Sequence, residues 1–179
     1  MSPLAVIDKF YPRNDNLRRL LLVHSWQVAD LAVRCALKHK ELGVDTDLVL
    51  RGALLHDIGI FDTYAPSIYC HGTAHYLMHG FIGSRLLRQM GMEAEARLCE
   101  RHTDTGLTAQ TIRERSLPRA PQDYRPQTME EKLICYADKF YSKSRPDSRL
   151  TFEQVCAGLS RYGEEGVKKF CEWHEIFNI

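Results

Sequence analysis

The chain has 179 residues, with 24 Lys and Arg against 23 Asp and Glu and a formal charge of +1. At 44% hydrophobic and 26% charged it is too apolar for a disordered chain. It is also too evenly charged for a protein that lives on a nucleic acid duplex. A small phosphorylated ligand in one pocket remains compatible with that balance.

No run of 18 apolar residues offers a membrane span. The opening MSPLAVIDKFYPRND lacks the basic-then-apolar order of a signal peptide, so the expected compartment is the cytoplasm. The six cysteines are scattered with no C-x-x-C, and they are expected to be small buried apolar residues rather than disulfides.

From residue 16 to about 40 there is no Gly or Pro, and Leu17, Leu20, His24, Val28, Leu31 and Cys35 recur at steps of three and four. That is one face of a helix, stopped by Gly43. A second helix is predicted over residues 45–56, with Asp45 and Asp47 at its positive end. Residues 59–73 read as loop. A third helix is predicted over about 74–90, closed by Gly91, and a fourth over about 93–100. Residues 103–127, broken by Pro118, Pro121 and Pro126, read as irregular with one short turn near 109–113. Thr128-Met-Glu-Glu131 is a capping box that opens a helix to about Ser142, and Thr151-Phe-Glu-Gln154 is a second that opens the last long helix. No stretch alternates as a strand does. The expectation is one all-α domain over 1–179, of six or seven helices, with a core region at 16–144 and a C-terminal helix over 151–177 packed on it.

His24 shares a helix face with Val28 and Leu31. His56-Asp57 ends the apolar run Ala53-Leu54-Leu55, and Asp138 ends Leu133-Ile134-Cys135-Tyr136-Ala137. Burying imidazoles and carboxylates is costly unless something pairs with them. Two of each, on three helices of one core, make a poor hydrophobic centre and a good divalent-cation site.

The order His24, His56-Asp57, Asp138 resembles the signature of the HD-domain superfamily. His56-Asp57-Ile58-Gly59 has its HDIG form, and Tyr136-Ala137-Asp138-Lys139 follows downstream. The resemblance spans about residues 16–144. It implies an all-α fold, metal bound through these positions, and hydrolysis of nucleotide phosphate esters or anhydrides.

The subgroup with a two-metal centre adds histidines where His79 and His102 stand. The resemblance then implies two divalent ions, Fe or Mn first, with Zn, Ni or Mg as alternatives. Asp57 would bridge them, His24, His56 and Asp138 would complete one, and His79 and His102 the other. Two such ions against two aspartates and a bridging hydroxide leave about one positive charge to attract a phosphate.

On the predicted third helix, His75 would lie one turn before His79 and compete with it as a ligand or act as a substrate contact. His71, in the loop, could also reach a substrate. Gly83 would share His79's face and admit a neighbouring helix. Lys139 and Arg101, each beside a ligand, are expected to neutralise phosphate oxygens as catalytic and substrate-binding groups. Asp104 could orient a water or leaving group, and Tyr64 and Tyr69 would line the pocket. His39 and His174 are expected to be solvent-exposed.

Two other readings share these residues: a di-iron oxygenase acting on a small polyol or phosphonate, and a sensor that binds nucleotides without turnover. The paired histidine and Gly-Tyr-Pro of cyclic dinucleotide phosphodiesterases are missing from Arg101-His102-Thr103-Asp104-Thr105-Gly106-Leu107.

Overall fold

The computed structural model describes residues 1–12 and 15–178. Among them are nine α-helices: α1 (Pro3–Phe10), α2 (Asn16–Lys38), α3 (Thr46–Leu55), α4 (His79–Gln89), α5 (Glu93–Arg101), α6 (Ala109–Glu114), α7 (Met129–Asp138), α8 (Phe152–Leu159) and α9 (Glu164–Phe177). Two small antiparallel hairpins accompany them. β1 (Tyr64–Ala65) pairs with β2 (Cys70–His71), and β3 (Tyr141–Ser142) pairs with β4 (Arg145–Arg149).

Where the local sequence signal is strong, element and signal coincide. Asp45 caps α3 by accepting from Leu48 N, and both capping boxes close reciprocally, Thr128 with Glu131 and Thr151 with Gln154. The chain nonetheless has more helices than the six or seven expected. Ser2 and Pro3 start α1, whose Val6 and Ile7 are fully buried. The last helix is two, because the chain turns at residues 160–163 and Gly163 takes φ 118°.

Two other boundaries shift. The third helix starts at His79, not residue 74, since residues 76–78 form a tighter 3₁₀ turn capped by the His75 ring. α7 stops at Asp138, and the chain that was expected to stay helical to Ser142 enters the β3–β4 hairpin. Strands of two to five residues are too short to carry an alternating pattern, and distant contacts hold them. Gln27 of α2, for example, donates to Pro146 O at 2.7 Å.

The apolar interior has two large lobes and a smaller cluster of Phe81, Leu107, Ile112, Leu117 and Tyr124. One lobe joins α2, α3 and α7 to the C-terminal helices through Val28, Val49, Ile134, Tyr136, Phe170 and Phe177. The other joins α1, α2, α3, α4 and α5 through Ile7, Leu21, Leu55, Ile58, Leu87 and Cys99. His24 falls between Leu21 of one lobe and Val28 of the other, and His56-Asp57 directly follows Leu54 of one and Leu55 of the other, so the polar residues sit where the lobes meet.

α2 has the length and mean hydropathy of a spanning helix, yet half of that stretch is buried inside the fold and presents His24 to it. All six cysteines are free, four buried and two half-buried. His39 and His174 are half-buried rather than solvent-exposed. His39 pairs with Glu41 at 3.0 Å, while His174 stacks on Phe152 and hydrogen-bonds the Tyr136 hydroxyl at 2.8 Å.

Candidate metal centre

Four helix ends and one helix middle deliver the candidate ligands. His24 projects from the middle of α2. His56 and Asp57 follow the last turn of α3, His79 opens α4, His102 closes α5, and Asp138 ends α7. None is more than 8% exposed. Their ligand atoms fall into two groups, each within 4.8 Å of one another: His24, His56, Asp57 and Asp138, and Asp57, His79 and His102.

Asp57 belongs to both groups and divides its oxygens between them. Oδ2 lies 3.2 Å from His24 Nε2 and 3.1 Å from His56 Nε2. Oδ1 lies 3.3 Å from His79 Nε2 and 3.4 Å from His102 Nε2. Asp138 Oδ1 is 3.0 Å from His24 Nε2.

Glycines permit this convergence. A Cβ on Gly59 would stand 2.2 Å from His79 O, one on Gly80 2.6 Å from Cys99 O, and one on Gly83 2.5 Å from Cys99 Sγ. The start of α4 thus lies directly against the turn after Asp57 and against α5. Gly83 does admit a neighbouring element, as its place on the helix suggested.

Hydrogen bonding sets the histidine tautomers. His56 Nδ1 faces Ala53 O at 2.6 Å, His79 Nδ1 faces Tyr76 O at 2.6 Å, and His102 Nδ1 faces Cys99 O at 2.7 Å. A carbonyl only accepts, so each Nδ1 carries the proton and each ring aims Nε2 at the centre.

Burial, reinforced for His79 by His102 and Lys143, pushes His79 down to about 3, and burial lowers His102 as well. Both rings are therefore neutral at pH 7. Their bare Nε2 lone pairs face each other at 2.9 Å with no proton between them. That contact is repulsive unless a cation takes both lone pairs. Both Asp57 oxygens are fully buried and lie close to the histidines, and Oδ2 also to the Lys143 ammonium, yet none of these contacts is an aligned hydrogen bond. The donor set fits divalent cations on each side of Asp57.

The remaining charges follow from these positions. Burial alone would raise the Asp57 carboxyl, but Lys143, His56 and the other histidines hold it well below the usual carboxylate range. Asp138 is held low in the same way, chiefly by Lys139. Burial alone would lower His56, yet Asp57 and Asp138 raise it to about 9.

A cavity of 470 Å³ opens over the centre, lined among others by His79, His102, Asp138, Lys139, Lys143 and Tyr76. A second, of 690 Å³, shares Asp138, Lys139, Lys143, Tyr76 and Tyr162 with it. Lys139 bonds Asp138 Oδ2 at 2.8 Å and lines both cavities, so it does not turn to solvent.

Arg101 does not line this space, contrary to its expected role on phosphate oxygens. Its guanidinium donates to Arg125 O at 2.7 Å and lies 3.9 Å from Glu131, because adjacent residues of a helix diverge by about 100°. His75 is an exposed residue of the cavity rim, and its ring accepts from Leu77 N. It precedes α4 and so cannot share a helix face with His79. His71 is exposed in β2 and belongs to neither ligand group.

Asp104, at φ 59°, lines the first cavity. Tyr64 and Tyr69, 65% and 48% exposed, line neither, and Tyr76 holds the place expected of them. Lys143 escaped sequence reasoning because nothing in Tyr-Ser-Lys-Ser marks an inward-facing lysine.

An all-helical fold with two histidine–aspartate clusters of this kind defines a metal-binding helical domain. Residues 21–142 match the HD domain, and the chain belongs to that family. An uncharacterized protein of Methanocaldococcus jannaschii is 37% identical over 118 residues, which is 64% of this chain and 62% of that protein.

The tRNA (cytidine(56)-2'-O)-methyltransferase of Thermoplasma volcanium is 28% identical over 88% of this chain and 42% of its own length. That of Picrophilus torridus is 31% identical over 74% of this chain and 35% of its own. The chain thus spans less than two thirds of each of these relatives.

In fold it is similar to the HD domain of the L. monocytogenes phosphodiesterase PgpH, with a TM-score of 0.55, 18% identity and 96% and 94% of the two chains covered. The same domain in complex with cyclic-di-AMP gives 0.53 at 19% identity, over 90% and 95%.

Proposed function

We propose that the chain is a metal-dependent phosphohydrolase of the dinuclear HDIG type, cleaving a phosphate ester or anhydride of a nucleotide-like substrate. The observation that carries the reading is Asp57, whose two oxygens face two separate ligand groups beneath a lysine-lined cavity. His24, His56 and Asp138 would hold one divalent cation, His79 and His102 the other, and Asp57 would reach both. Bound there, such ions supply positive charge for phosphoryl oxygens and bring the pKa of a coordinated water towards neutrality.

The protein's own residues do the rest. The three carbonyl-anchored rings keep their Nε2 atoms aimed, so little reorganisation accompanies binding. Lys139, fixed by Asp138, presents an ammonium to the cavity, where it meets phosphate oxygens. Tyr76 and Tyr162 offer aromatic faces to a base. A cavity of 470 Å³ suits a ligand of nucleotide size.

The cyclic-di-AMP complex of the PgpH domain supports a nucleotide-like substrate at the level of fold. The methyltransferase activity named for two relatives is not carried over, since the match spans under half of each. The lysines of the cavity wall favour phosphoryl chemistry over polyol oxidation by a di-iron pair.

The test is metal analysis followed by turnover with Mn and Fe on dinucleoside polyphosphates, mononucleotides and cyclic nucleotides. Phosphate-bond cleavage in at least one class is expected. Oxygen uptake by the iron-loaded protein without any cleavage would reject hydrolysis, and tight binding of one nucleotide with no turnover would reject catalysis.

A further inference from the structure

Lys143 lies in the two-residue turn between Ser142 and Arg145 of the β3–β4 hairpin. Its neighbours Ser144, Arg145, Asp147, Ser148 and Arg149 are exposed, as hairpin tips usually are. The Lys143 side chain runs the other way. It is 12% exposed, and its Nζ stands 2.5 Å from Asp57 Oδ2. Withdrawing an ammonium from water is costly unless a partner compensates it, and a buried anion is that partner.

The chosen oxygen matters. Asp57 Oδ1 faces His79 and His102, and Oδ2 faces His24 and His56, so both oxygens already belong to ligand groups. Lys139 makes a useful contrast. It pairs with Asp138 Oδ2 and leaves Oδ1 to the histidines, so it can stay in place beside a bound cation. Lys143 cannot. An ammonium and a divalent cation on one buried oxygen would repel at close range with little screening.

We propose that Lys143 and the cation of the His24–His56–Asp138 group compete for Asp57 Oδ2, and that the displaced ammonium becomes a phosphate-binding group of the cavity. In the metal-free protein Lys143 neutralises Asp57 and holds the site together. Metal entry frees the ammonium. Lys143 lines both cavities, and its flexible four-carbon stem lets the head swing outward without moving the hairpin. The inference rests on the ligand assignment made above and adds a substrate-contacting residue to it.

The experiment uses the full chain stripped of metal and titrated with Mn, as wild type and as Lys143→Met, which keeps the apolar stem. Lys143→Met is expected to bind its first Mn about tenfold or more tightly, the equivalent of one charge-assisted hydrogen bond removed, at unchanged stoichiometry. Inorganic phosphate is expected to bind the Mn-loaded variant about tenfold more weakly than the wild type. In parallel, wild-type protein is treated with an amine-acylating reagent and digested for mass spectrometry. Lys143 acylation is expected to rise on Mn loading and to fall again when phosphate is added. This arm decides the question even if the variant does not fold.

Equal or weaker Mn binding by Lys143→Met overturns the competition. So does Lys143 acylation that Mn leaves unchanged. Phosphate affinity unaltered in the loaded variant overturns the substrate role. Wild type that takes up no Mn, Fe or Zn overturns the ligand assignment itself, an outcome distinct from the others.

Discussion

Gly83→Ala probes what brings the two ligand groups together. An added Cβ would lie 2.5 Å from Cys99 Sγ, 2.9 Å from Ile58 Cγ2 and 3.1 Å from Gly59 N. None of these yields easily. Cys99 is fully buried and donates to His56 O at 2.9 Å, Ile58 is fully buried, and the third atom is backbone. Ala in place of Gly inside a helix gains about 1 kcal/mol from propensity, whereas overpacking a core costs about 1–3 kcal/mol or more.

With three unyielding neighbours the overpacking cost falls at the upper end, about 3 kcal/mol, so the expected net loss is about 2 kcal/mol, or roughly 4–8 °C in melting temperature for a domain of this size. Gly158→Ala, in the exposed part of α8 with nothing within 4 Å of the new methyl, has the propensity gain alone and is expected to melt about 2–4 °C higher. Because Gly83 shares α4 with His79, its variant should also weaken Mn at the His79–His102 group by about 10–100-fold while sparing the other group. Thermal unfolding of the metal-free proteins and stepwise Mn titration read both effects. A Gly83→Ala protein of wild-type stability that binds both ions with unchanged affinity would refute the close packing of α4 as the cause of the geometry.

Asp57→Asn, which keeps shape and removes the shared charge, is expected to abolish uptake at both groups and lower turnover by about 100-fold or more. Metal analysis showing two ions per chain in the variant would reject Asp57 as their common ligand. The raised His56 sets a pH dependence. A histidine whose folded pKa of about 9 exceeds its unfolded value of about 6.5 contributes stability that is complete below pH ~6.5 and lost as pH rises through 9.

A metal held as proposed would take the His56 Nε2 lone pair, so its binding would expel that proton. First-ion affinity should therefore rise by up to about tenfold per pH unit between 7 and 9 and level off above. Calorimetry in buffers of different protonation enthalpy checks this, and binding without proton release at pH 7.5 would contradict it. Arg101→Ala is expected to cost about 1–2 kcal/mol of stability, through the lost contacts to Arg125 O and Glu131, while leaving kcat/KM within about threefold. A hundredfold fall at intact stability would return Arg101 to the substrate site.

Local chemistry made much of this protein legible without coordinates. A Gly- and Pro-free run with apolar residues at helical spacing predicts α2 within two residues of its observed end, and the two capping boxes mark α7 and α8 because their hydrogen bonds close within four residues. Imidazoles and carboxylates inside apolar runs singled out His24, His56, Asp57 and Asp138, since burying them without a partner is so costly.

Distance along the chain hid the rest. Arg101 and His102 adjoin, yet one turns to Arg125 O and the other to the centre, and only the packing of α5 decides which. His75 caps a turn rather than riding on α4, because the Gly59–His79 approach sets where that helix begins. Lys143 reads as one more polar residue of a solvent-facing turn. It points inward because Asp57, 86 positions earlier, offers a buried negative charge within reach, and a charge pair of that kind exists only once the helices have met.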